Sequence, residues 1–136
     1  LTGVTEDLIN TDTIKVGQAT LELIKRVRNV TLAQTFSTSN AALPGHVLEY
    51  EIKFLNTTTH QLANFSVQDA TPSYTVFVSA SCPSVLPSGL ISCVVPSHTN
   101  GSAPSVNSSG IIRWDFTGAI QAGTSGAVTY QVKVQE

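Results

Sequence analysis

A two-layer β-sandwich is the fold this sequence predicts, and three observations carry the prediction. Apolar and polar residues alternate over most of the chain, the alternating segments are short, and turn-forming clusters separate them at close intervals. No segment carries a helical period. A length of 136 residues suits a single domain.

The elements follow in order. Leu8–Val16 (LINTDTIKV) reads as a first strand, and Gly17-Gln18-Ala19-Thr20 joins it to a second over Thr20–Val27. In His46–Asn56 the residues Leu48, Tyr50, Ile52 and Phe54 alternate with Glu49, Glu51 and Lys53, the pattern of a strand with one wet face. Strands are expected at Ala63–Asp69, Tyr74–Ser81 and Leu90–Val95. The alternation returns at Ile112, Trp114 and Phe116 in Gly110–Thr117, and at Val128, Tyr130, Val132 and Val134 in Ala127–Gln135. Leu43-Pro44-Gly45, Asn56-Thr57-Thr58-Thr59, Pro72-Ser73, Pro87-Ser88-Gly89 and Gln121-Ala122-Gly123 supply the turns. Ser97–Gly110, polar and rich in Ser, Asn and Pro, is expected to be an exposed loop. Strands of this number and spacing point to a sandwich of immunoglobulin-like type.

Composition narrows the function. Charged residues make up 12 % of the chain, about half the usual share, and Ser and Thr take their place. A net charge of −2 without a basic cluster leaves no footprint for nucleic acid. No apolar run approaches the ~18 residues that would span a bilayer. The chain begins at Leu1 rather than Met, which suggests a processed secreted protein or a fragment of a larger one. Cys82 and Cys93, an even pair in a hydroxyl-rich chain, are expected to form a disulfide. Five of the seven asparagines, Asn29, Asn56, Asn64, Asn100 and Asn107, begin an Asn-X-Ser/Thr triplet, more than chance provides. They are candidate glycosylation sites, and asparagines of ordinary turn chemistry are the alternative. Together these features predict an extracellular or cell-surface protein.

Nothing in the sequence resembles a catalytic constellation, and neither an enzyme nor a cofactor or metal is expected. His46, His60 and His98 fall in turns or loops without metal-ligand spacing and read as solvated. Ser125 stands in Gly123-Thr124-Ser125-Gly126, a turn rather than a nucleophile elbow. Tyr74, Phe77 and Trp114 read as core or sheet-face aromatics rather than a sugar platform.

The order of these pieces resembles the conserved-repeat immunoglobulin-like domain of bacterial and archaeal surface proteins, catalogued as "domain of unknown function eleven". Leu21/Leu23/Lys25/Val27, Pro44-Gly45, Leu48–Asn56, Asn64–Pro72, Gly110–Trp114, Ile120–Gly123 and Val128–Val134 match the family's motifs in sequence, over nearly all of residues 20–135. In that family a strand bearing N-T-A-x-V comes last. Here the chain stops at Lys133-Val134-Gln135-Glu136, and the similar piece, Ile9-Asn10-Thr11-Asp12-Thr13-Ile14, stands at the front. The resemblance therefore implies an incomplete sandwich over residues 20–136, preceded by a strand and linker over residues 1–19. That strand either folds back on its own chain or fills the sandwich of another copy, as in strand addition. Donation to another copy implies a head-to-tail contact that repeats without closing and builds a filament or pilus. The donated residues would be Leu8, Ile9, Asn10, Thr11, Asp12, Thr13, Ile14 and Val16, with Leu8, Ile14 and Val16 contributing ~1.5–3 kcal/mol each on burial. The partners implied are other copies of the chain and the cell-surface or secretion machinery that receives it. A single repeat of a large adhesin or surface-layer protein is the alternative, and a carbohydrate-binding module using Ser97–Gly110 a further one.

Strand parity puts three polar residues on inward faces: Lys25 with Leu21, Leu23 and Val27; Asp69 with Phe65 and Val67; Asn10 with Leu8, Ile14 and Val16. Each matches a family position. The favoured expectation is a Lys25–Asp69 ion pair hydrogen-bonded to Asn10. The sharper one is an isopeptide bond between Lys25 and Asn10 of another copy with Asp69 as proton shuttle, as in other immunoglobulin-like surface proteins. Asp12 also has inward parity, which has no such explanation.

Overall fold

The computed structural model describes the backbone of residues 4–7, 11–16 and 19–136 and the side chains of residues 21–136. Eleven strands run in chain order through the described residues, with no helix among them. They are β1 (Val4–Asp7), β2 (Thr11–Val16), β3 (Ala19–Asn29), β4 (Ser39–Ala42), β5 (Val47–Asn56), β6 (Leu62–Ala63), β7 (Ser66–Ala70), β8 (Thr75–Ser81), β9 (Leu90–Val94), β10 (Ile111–Ile120) and β11 (Ser125–Val134). All pairings are antiparallel.

One sheet has the order β2-β3-β5-β11-β8. A second is centred on β10, and β1 and β4 form a two-stranded sheet of their own. The ladder of β10 to β6 and β7 is carried across the gap by Asn64 N–H to Gly118 O (3.1 Å) and Phe116 N–H to Phe65 O (3.0 Å), so β6 and β7 line one edge. β9 pairs Asp115–Gly118 on the opposite edge. Asn64 takes a φ of 53° at the break, which explains why one strand expected over Ala63–Asp69 is two. At the β9–β10 irregularity Gly118 has a φ of 85°, and a Cβ there would lie 2.6 Å from Gly89 O. Only glycine fits that bulge.

The apolar half of each alternating strand meets between the sheets. Tyr50 stacks on Tyr130 at 5.1 Å between ring centroids, and Trp114 tilts against Tyr130 at 5.9 Å. At the other end Phe54, Phe65 and Phe116 form a second aromatic group with centroids 4.9–5.7 Å apart. Such pairs add about 0.5–1.5 kcal/mol each to the area they bury. The fold is the expected all-β sandwich, with its core on the expected parity.

Two expectations need correction. Ser97–Gly110 is not simply exposed: Ser102 and Ala103 are buried, and Arg113 N–H donates to Ser102 O at 2.8 Å, so the loop extends the β9 edge of β10. Small residues allow that close approach. Tyr74 is not a core aromatic. Its φ is 65° and its side chain is exposed, while Phe77 and Trp114 are buried as expected.

Candidate functional site

The sandwich has two long flanks, and they are closed by different chemistry. On the flank of β8 and β9, the Cys82–Cys93 disulfide ties the end of β8 to β9 across a Cα separation of 6.1 Å. Trp114 Nε1 donates to Ser81 O at 3.1 Å on the same side. Backbone bonds from Phe77 N–H to Ser108 O and from Asn107 N–H to Phe77 O cover the rim of β8.

On the flank of β3 and β7 the bridge is ionic. The inward parity of Lys25 and Asp69 holds, and Lys25 Nζ lies 2.8 Å from Asp69 Oδ2, each side chain about a fifth exposed. Tyr130 Oη donates to the same oxygen at 2.5 Å, and Lys25 Nζ lies 4.9 Å from the Tyr50 ring centroid. Three strands thus meet at one carboxylate: β3 through Lys25, β7 through Asp69 and β11 through Tyr130. A charge partner, a phenol and an aromatic face together offset the desolvation of the half-buried pair.

The outer edge of β3 at this flank is where the N-terminal segment lies. β2 pairs with β3 from Thr11↔Ile24 to Val16↔Ala19, and further along Val27 and Ser37 exchange two backbone bonds of 2.8 Å. β1 pairs with β4 from Val4↔Ala42 to Asp7↔Ser39. β2 is the outermost strand of its sheet, and β3 is the strand it pairs with. Within one chain, then, Thr11, Asp12, Thr13, Ile14 and Val16 pair with their own β3. Leu8, Ile9 and Asn10, and with them the third member of the expected polar trio, lie outside the described residues.

The asparagine triplets divide into two kinds. Asn29 and Asn56 are fully buried. Asn29 Oδ1 accepts from Leu32 N–H, which turns its Nδ2 towards His46 Nδ1 at 3.0 Å. Asn56 Nδ2 donates to His60 O and Ile120 O, and its Oδ1 accepts from Thr58. A glycan on either nitrogen would break these bonds, so both act as turn asparagines at strand ends. Asn64, Asn100 and Asn107 are exposed, although Asn100 Nδ2 donates to Val95 O. His46, expected to be solvated, is partly buried. It accepts from Asn29 and from Leu43 N–H, while His60 and His98 are exposed.

Sequence reasoning did not single out Tyr130 as a partner of Asp69, because its parity made it an ordinary core tyrosine. It also did not single out the facing pairs Arg26–Glu51 and Arg28–Glu49, which run across β3 and β5 on the outer face beside Phe36. Among the described residues no three His, Cys, Asp or Glu side chains are grouped to hold a metal ion, and no helix is long and apolar enough to cross a membrane. Comparison with protein-family models, with curated proteins and with solved structures gave no match.

Proposed function

We propose that this chain is the structural subunit of an extracellular filament, in which the N-terminal strand of each copy completes the sandwich of the next. The reading takes the sandwich as immunoglobulin-like and the chain as a relative of the conserved-repeat surface domain. The observation that carries it is the place of β2: an outermost strand paired with β3, on the flank bridged by an ion pair about a fifth exposed. A strand held along one edge is the least costly part of a sheet to exchange, and a bare sheet edge is what natural proteins avoid. The low charge, the disulfide and the exposed Asn64, Asn100 and Asn107 triplets support a place outside the cell. The role is mechanical rather than catalytic, with cell-surface or secretion machinery as the second partner and adhesion as the task.

One observation favours a second reading. β2 lies on its own β3, which suits a self-contained repeat of a large adhesin or surface-layer protein. Light scattering over a concentration series separates the two. The filament subunit grows into large species as concentration rises, and deletion of residues 1–16 abolishes growth and lowers stability. An intact chain that stays monomeric at high concentration refutes the filament and leaves the repeat.

A further inference from the structure

We infer that the contact between copies reproduces the β2–β3 ladder of the single chain, residue for residue. Thr11–Val16 of one copy lies antiparallel on Ala19–Ile24 of the next, with Thr11 against Ile24 and Val16 against Ala19. This inference rests on the filament reading and adds the acceptor edge, the strand direction and the register. Its occupant is a second copy of this chain.

Three features of the fold lead there. First, β2 and β1 are consecutive strands of one N-terminal segment, paired with β3 and β4 respectively. A copy that supplies this segment to a neighbour satisfies both ladders at once, and every backbone bond lost within the chain is regained between chains. Exchange of an identical element is a low-cost route to assembly for this reason. Second, only two residues separate Val16 from Ala19 in sequence. Extended, that interval spans at most ~10 Å, so a donated β2 has to start close to its own β3, which makes the successive subunits close neighbours. Third, the ladder has a definite inner and outer face. Val27 N–H and C=O point away from β5 towards Ser37, and this direction recurs at alternate residues of β3. Leu21 and Leu23 therefore form the hydrogen-bonded pairs with Ile14 and Asp12, while Glu22 and Thr20 face Thr13 and Lys15 in the non-hydrogen-bonded pairs. The side chains of Leu21 and Leu23 point into the sandwich, and Leu23 packs against its core, so a register slip of one residue would turn the donated strand over.

Paired cysteines read the register. Thr13→Cys with Glu22→Cys places two thiols at a non-hydrogen-bonded pair, where cross-strand Cβ atoms approach most closely and a disulfide fits. Unlabelled and 15N-labelled chains of this variant are mixed in denaturant, refolded, concentrated until assembled and oxidised. The expected result is a ladder of covalent multimers on a non-reducing gel, with about half of the 13–22 linked peptides carrying one label of each kind. Lys15→Cys with Thr20→Cys gives the same result by an independent pair if the first variant folds poorly. Filaments in which neither pair yields mixed-label peptides overturn this register and leave the filament standing. Chains that remain monomeric, with links only within one label, overturn the filament and this inference with it.

Discussion

The two flanks of the sandwich join the same pair of sheets by opposite means. At β8 and β9 the connection is a covalent bond, a buried indole donor and a loop whose backbone covers the strand rims. At β3 and β7 it is one ion pair with a tyrosine hydroxyl, about a fifth open to water, and an edge strand paired along one side. A disulfide cannot be exchanged without redox chemistry, whereas an ion pair and an edge ladder re-form with any chemically equivalent partner. The fold thus locks one flank and leaves the other to reversible contacts, and the filament proposal places the second copy on that other flank.

Changes on the locked flank should cost the most stability and alter assembly least. Trp114→Ala should destabilise by about 3–5 kcal/mol in denaturant unfolding, through the cavity and the lost donor to Ser81 O. Cys82→Ala with Cys93→Ala should cost about 2–4 kcal/mol by restoring freedom to an unfolded loop of separation 11. Filaments of that variant should still form below its lowered melting temperature.

Changes on the open flank should be smaller in stability. Asp69→Ala should cost about 1–3 kcal/mol, since it removes the charge partner of Lys25 and an acceptor of the Tyr130 hydroxyl. Replacing the cluster together, Lys25→Met with Asp69→Leu and Tyr130→Phe, should recover part of that loss, because the ammonium, the carboxylate and the hydroxyl that contact one another are removed together. If the triple variant is less stable than Asp69→Ala, the ion pair has a role beyond satisfying itself. His46→Ala, in the turn between β4 and β5 and against the end of β3, should cost about 1–2 kcal/mol by removing the acceptor for Asn29 and Leu43. Charge reversal at Arg26 or Glu51 on the outer face should change stability least, by under about 1 kcal/mol, with salt reducing the effect.

The core strands were legible because burial on one face imposes a period of two. Val47–Asn56 shows it over ten residues and Ala127–Val134 over eight. The Lys25–Asp69 contact was legible for the same reason, as two polar residues in phase with apolar ones. What escaped had no such signature. Ser39–Ala42 is too small and polar to alternate, and its strand character comes from pairing with Val4–Asp7. The burial of Ser102–Ala103 and the bonding of Asn29 with His46 arise from tertiary approach, which local composition does not encode. Asn-X-Ser/Thr triplets look alike in sequence whether the amide caps a buried turn or faces solvent.

Electron microscopy of the concentrated intact protein tests the central claim most directly. The account predicts unbranched filaments one subunit wide, absent when residues 1–16 are deleted. Uniform single particles of one chain at every concentration would contradict it.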